Sequence, residues 1–323
     1  HMMTWCLAEN RRTWIEQGFP ADLARYVMAT ADPMGCTAGH GDHPLAKSPS
    51  DELPALPLVY YLTRDGRLLW RLNQLAGGEW PNPYWRDVKP VPPDDLVGLN
   101  VVPMHPEYYR WSDNLGVYGT PAVPHNVPLE RSFDKLTMRT GLAPESQCLI
   151  LDGFGRGYHL HYDTNMLLKY TNAGEVLLMD SDYLVRNTTE HNGLSVVKNG
   201  RAEQLIPTLA SLDARADLPG CLMSRTSVTD YNGIDWHRTI LMVKGGPVAV
   251  FDEAVAREPA DYTLWCVWKT LDEGREEVAG ARTYHVLRPG SERLPVPGFA
   301  PVDAAGARGG KAVVFAEPKA VLE

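Results

Sequence analysis

The sequence predicts an α+β chain: a short N-terminal α-helical segment followed by an antiparallel β-sandwich. Three observations lead there. Apolar residues recur at helical spacing up to about residue 76. A stretch crowded with Pro, Trp and Tyr follows, which cannot propagate a long helix. Beyond Ser132, short apolar runs alternate with turn-forming residues, the pattern of antiparallel strands rather than of strand–helix–strand units. The predicted partition is a helical segment over 1–76, a connector over 77–131 and a sandwich over 132–323.

Within the first part, Trp5, Leu7, Trp14, Ile15, Phe19, Leu23, Tyr26 and Val27 fit a period of 3.6, and Gly18 with Pro20 divides the run into two helices. His1-Met2, ahead of Met3, resembles the remnant of a cleaved tag and is left out of fold reasoning. After a loop rich in Gly, His and Asp, a second helical pattern spans Asp51 to Leu75, with Leu53, Leu56, Val59, Tyr60, Leu62 and Leu69 on one face. The connector, exemplified by Trp80-Pro81-Asn82-Pro83-Tyr84-Trp85, leaves room for short strands near Val101-Val102 and Gly116 to Tyr118.

Strands are then expected at Leu136 to Thr140, Gln147 to Asp152, Asn165 to Tyr170, Val176 to Met179, Gly193 to Lys198, Cys221 to Thr229, Trp236 to Val243, Pro247 to Glu253 and Tyr262 to Lys269. Thr171-Asn172-Ala173-Gly174 is a hairpin turn by composition. A last apolar run lies at Ala312 to Phe315.

Composition narrows the function. With 323 residues, the chain has ample length for a buried core. No apolar stretch approaches the roughly 18 residues of a spanning helix. Forty acidic against 31 basic side chains give a formal charge of −9, which argues against a nucleic-acid-wrapping surface. Five cysteines, none closely spaced, provide neither a disulfide framework nor a four-thiolate zinc pattern.

The segment Asp152-Gly-Phe-Gly-Arg-Gly-Tyr-His-Leu-His-Tyr-Asp163 carries the most chemistry. Alternation along an extended backbone turns His159 and His161 to one face, where both imidazoles can meet an ion or a substrate. Asp180 ends a later apolar strand and His191 follows soon after. Two imidazoles and a carboxylate suit zinc, which takes nitrogen and oxygen ligands near 2.0–2.2 Å. A packed or surface His pair without metal is the competing reading. Arg156 can pair bidentately with a carboxylate. His40, Asp42 and His43 cluster in a loop, where helix capping accounts for them as well as metal does.

The stretch from Ser132 to Thr270 resembles the C-terminal β-sandwich of the heparinase II/III-like polysaccharide lyases. The elements that carry the resemblance are His159-Leu160-His161-Tyr162-Asp163, Val176 to Asp180 and Glu190-His191-Asn192. Leu160 stands where the family has a small residue. Trp236-His237-Arg238 and Val248 to Glu253 resemble later strands of that domain, and Ala38 to Asp42 a turn in the family's helical toroid.

The resemblance implies zinc, chiefly structural, on His161, Asp180 and His191; Asp163 reads as a hydrogen-bond acceptor beside them. It places His159 facing the sugar near the scissile bond; Arg156 and Tyr158, in the same segment, are candidate substrate contacts by residue type. It implies β-elimination on an acidic polysaccharide such as a glycosaminoglycan or alginate; that substrate class points to a periplasmic or secreted location, with a cytoplasmic one left open. The helical stretch is much shorter than a full toroid, so the toroid is expected to be missing or supplied separately. Tyr26, Tyr60, Tyr61, Tyr108, Tyr109 and Tyr118 are candidates for the family's catalytic Tyr by residue type alone. Two other readings stay open: a catalytically inactive, zinc-stabilised carbohydrate-binding or assembly module, and a cupin-type metal oxygenase, whose usual glutamate after the second His is absent.

Overall fold

The computed structural model describes residues 7–10, 12–36, 38, 55–112, 127–155, 162–180, 188, 191–201 and 206–269, together with strands at 274–278, 281–285 and 311–315. It is an α+β structure. Helices α1 (Thr13–Glu16) and α2 (Phe19–Thr30) are separated by Gly18, whose φ of 89° suits a residue without Cβ, and Pro20 sits in the first turn of α2.

The helical pattern of Asp51 to Leu75 resolves into two helices, α3 (Ala55–Thr63) and α4 (Gly66–Leu75). The break has a local cause. Arg64 adopts a left-handed φ of 55°, and the Asp65 carboxylate accepts the Arg67 backbone N–H at 2.9 Å, capping α4. The apolar spacing runs through this point undisturbed, so periodicity alone hides it. Residues 51–54 lie outside the described residues.

The connector contributes β1 (Gly98–Pro103) and an unanticipated helix, α5 (Pro106–Ser112). The strand expected at Gly116 to Tyr118 lies outside the described residues. Strands β2 (Phe133–Arg139), β3 (Cys148–Asp152), β4 (Leu167–Asn172) and β5 (Glu175–Met179) extend β1 into a five-stranded antiparallel sheet in sequential order. Ala173 and Gly174, at φ 54° and 76°, close the β4–β5 hairpin with two left-handed residues, which matches the strand twist.

Then come β6 (Leu194–Lys198), β7 (Ser211–Asp217), β8 (Cys221–Tyr231), β9 (Ile234–Val243), β10 (Val248–Ala256) and β11 (Tyr262–Cys266). The second sheet runs β10-β9-β8-β7, while β6 pairs with β11. Strands β12 (Gly274–Val278), β13 (Ala281–His285) and β14 (Lys311–Phe315) form a separate antiparallel sheet. Sequence pattern misses β7, β12 and β13. In β7, Ser-Leu-Asp-Ala-Arg-Ala-Asp lacks apolar alternation because it is an edge strand with three of its seven residues exposed.

The two larger sheets pack face to face. Phe133, Leu136, Met138, Leu149, Leu151 and Leu167 of the first meet Leu222, Val228, Trp236, Ile240 and Met242 of the second in one cluster. Strand β9 alternates strictly between buried and half-buried positions, whereas β3 is buried on both faces. The second covered face of β3 explains that difference: Cys148 and Ile150 pack with Ala38 and Leu168. Polar groups tie the C-terminus of α2 to this sheet, with Arg139 donating to the carbonyls of Ala29 (2.9 Å) and Ala31 (2.7 Å) and Lys169 pairing with Asp32 at 2.6 Å. No helix among the described residues is long and apolar enough to cross a membrane.

Candidate metal centre

Strand β3 ends at Asp152, where the chain leaves the sheet through Gly153-Phe154-Gly155. Both glycines are required by space. A Cβ on Gly153 would lie 2.2 Å from the Phe133 carbonyl oxygen, and one on Gly155 2.3 Å from the Thr164 nitrogen. Close approach of the two chain ends is what holds this loop root shut. Gly155 N–H donates to Thr208 O at 3.1 Å, Asn165 N–H to Asp152 O at 2.8 Å, and Asp152 N–H to Met166 O at 2.9 Å. Arg156, Tyr158, His159 and His161, the expected substrate, catalytic and metal residues of this loop, lie outside the described residues.

The chain returns through a turn over Asp163 to Met166, closed by Met166 N–H to Asp163 O at 2.9 Å, with Asn165 left-handed at φ 63°. Asp180 stands directly after β5, its N–H bound to Leu168 O at 2.7 Å. His191 precedes β6, and its Nδ1 lies 2.9 and 3.0 Å from the two oxygens of Asp180. Asp163, Asp180 and His191 are all buried, and their candidate ligand atoms lie within 4.8 Å of one another. Two of the expected ligands are therefore together, with Asp163 in the same cluster. The alternation His-x-His-x-Asp in the sequence carries the signal for Asp163, since all three side chains share a face in an extended segment.

A buried charge network lies next to this centre. Lys135 Nζ sits 2.6 Å from Asp134 Oδ1 and 3.0 Å from Asp152 Oδ1. Burial by itself would lower the Lys135 ammonium, but Asp134 and Asp152 outweigh it and hold the group well above its ordinary value. Burial pushes the Asp152 carboxyl up to about 6 against the pull of Lys135. Asp163 is driven well above the carboxylate range by burial and then by the charges of Asp152 and Asp180. The Tyr26 phenol of α2 is also raised, first by burial, and lies beside Lys135. Sequence pattern gives no sign of this network, because Lys135 reads as an ordinary polar position in a strand.

The other candidates are spread elsewhere. Tyr60 is fully buried, donating to Trp85 O at 3.2 Å and accepting from Asn82 at 2.9 Å. Tyr109 donates to Val127 O at 2.8 Å. Tyr61 stacks on Trp85 with centroids 5.8 Å apart, and Tyr108 is 52% exposed. Trp80 and Trp85 pack against the helical core cluster. Tyr118, His40, Asp42 and His43 lie outside the described residues.

The donor set suits zinc: one imidazole and two carboxylates, fully buried and mutually close, offer nitrogen and oxygen ligands in a dry setting where a dication relieves carboxylate repulsion. The fold is similar to that of solved lyase structures. The structure resembles a heparinase III gene product (TM-score 0.56, 11% identity, 81% of this chain and 36% of that one). It also resembles the heparan sulfate lyase HepC from Pedobacter heparinus (TM-score 0.54, 12% identity, 85% of this chain and 39% of that one). The chain thus spans well under half the length of either. No family model matches the sequence. No curated protein matches it either.

Proposed function

We propose that this chain is the C-terminal sandwich part of a polysaccharide lyase that cleaves uronic-acid-containing chains by β-elimination, and that its sandwich holds zinc. The observation that carries the reading is the buried Asp163–Asp180–His191 cluster, set against the root of the loop bearing His159 and His161. Asp180 and His191 would hold the ion together with His161, with Asp163 in reach. Bound there, zinc would neutralise the carboxylates and lock the loop against the sheet.

Elimination requires removal of the weakly acidic proton at C5 of a uronate and departure of the C4 oxygen substituent, leaving an unsaturated sugar. The residues must therefore stabilise the charge that builds on the uronate carboxylate while a positioned group handles the proton. Arg156 supplies a planar pair of donors for that carboxylate, and Tyr158 a ring and hydroxyl against the sugar. His159 would take or return a proton at the scissile bond. The hydroxyls of Tyr60 and Tyr109 donate to backbone carbonyls within the fold, which argues against these two as the phenol of a lyase reaction.

The test is incubation of the purified protein with heparan sulfate, other glycosaminoglycans and alginate, following ultraviolet absorbance of the unsaturated product, alongside elemental analysis. Zinc near one equivalent with rising absorbance supports the reading. Zinc without turnover on any uronate polymer points to the inactive carbohydrate-binding module instead, and iron with oxygen consumption to the cupin-type oxygenase.

A further inference from the structure

Among the described residues Arg238 is the most buried arginine of the sandwich, with no solvent exposure, and none of the chemistry above uses it. It projects from β9, in register with Thr226 on β8 and Asp252 on β10. Its Nε and Nη2 donate to the two oxygens of Asp252 at 2.8 and 2.9 Å, the bidentate geometry that a guanidinium favours. Trp236 donates its indole N–H to the same carboxylate at 2.8 Å. The guanidinium carbon lies 4.7 Å from the Trp236 ring centroid and 5.6 Å from that of Trp268.

What remains of the fork reaches across to the first sheet. Nη1 donates to Asn165 O at 2.9 Å and to Asn192 O at 3.2 Å. Asn165 belongs to the turn that presents Asp163, and Asn192 directly follows His191. The two segments also grip each other, with Leu167 N–H donating to Asn192 O at 2.9 Å and Asn192 Nδ2 donating to Leu167 O at 3.0 Å, and from β8 Thr226 donates to the Asn165 side chain at 2.6 Å. One cation thus spans the carbonyls flanking two members of the buried cluster, and its own anchor is in the opposite sheet.

We propose that Arg238 is a positioning residue for the Asp163–Asp180–His191 centre, setting the spacing of its segments and linking cation binding to the docking of the second sheet. The inference rests on the metal reading above. A rigid bidentate anchor fixes where Nη1 stands, and Nη1 fixes where the two carbonyls stand. Lysine cannot hold Asp252 and both carbonyls at once, because its single ammonium lacks the planar fork.

The test compares Arg238→Lys and Asp252→Asn with Arg139→Lys, a control that replaces a similarly buried arginine of β2, which donates to the Ala29 and Ala31 carbonyls at the end of α2 and interacts with Cys148. Zinc affinity is measured by competition with a chromophoric chelator, and exchange of the Leu167 and Asn192 amides is followed in metal-free protein. Arg238→Lys and Asp252→Asn are expected to weaken zinc binding about 10- to 100-fold and to speed Leu167 exchange, while Arg139→Lys lowers the melting temperature with affinity unchanged. Asp252→Asn serves should Arg238→Lys fail to fold. Wild-type affinity and Leu167 protection in both variants would overturn the role of Arg238. A wild-type protein that takes up no zinc would instead overturn the metal reading, and the amide exchange would then decide whether Arg238 still spaces the two segments.

Discussion

Replacing Lys135 with Met removes the ammonium that balances the carboxylates at the loop root. In the wild type, Lys135 and Asp152 have side chains 3% and 1% exposed and lie 3.0 Å apart. Even with that partner, burial lifts Asp152 from 3.8 to about 6. Without it, Asp152 would stay protonated in the fold above neutrality. An acid whose folded pKa is raised gives stability that is full below its unfolded pKa and is lost as pH rises through the folded one. The wild type therefore finishes losing this contribution near pH 6, whereas the variant goes on losing about 1.4 kcal/mol per pH unit. At about pH 7.5 the extra loss amounts to about 2 kcal/mol. Added to the lost contacts with Asp134, the total is about 3–5 kcal/mol, the range for breaking a buried pair from one side. Urea denaturation of both proteins on either side of pH 6 measures it. The double variant Lys135→Met/Asp152→Asn should regain most of the loss. A destabilisation that is the same at every pH, or one below about 1 kcal/mol at neutrality, would refute the reasoning.

Other substitutions probe the centre more directly. His191→Ala should abolish stoichiometric zinc and cost about 3 kcal/mol by leaving the Asp180 carboxylate buried without its imidazole, read by elemental analysis and thermal melts. His159→Ala should leave melting temperature and zinc content intact while removing elimination activity, so unchanged turnover would strike it from the catalytic set. Gly153→Ala places a methyl 2.2 Å from a backbone oxygen that no rotamer can clear, and should cost about 1–3 kcal/mol or more by denaturant titration.

Much of the fold is written in local pattern. The Gly18–Pro20 break, the Ala173–Gly174 turn and the strands around Cys148–Asp152, Glu175–Met179 and Ile234–Val243 follow from spacing and turn chemistry, because each signal sits within a few residues of the structure it specifies. The misses are equally physical. Asp65 splits a continuous apolar pattern by capping, and β7 forms on an edge where its own side chains need not be apolar.

The candidate site divides in the same way. Asp180 and His191 could be singled out because each stands at a strand boundary among turn residues, and their imidazole and carboxylate are found 2.9 Å apart. By itself, then, the sequence determined the α+β class, the strand-rich second part and two of the polar residues that meet. Only the tertiary structure decided that Asp163 joins them, that Lys135 and Asp152 form a buried pair at the loop root, and that Arg238 reaches from the opposite sheet to the segments of Asp163 and His191. These residues are separated by tens of positions along the chain. What unites them is the apolar packing of two sheets, which removes water from between them and leaves each charge only its neighbours for partners.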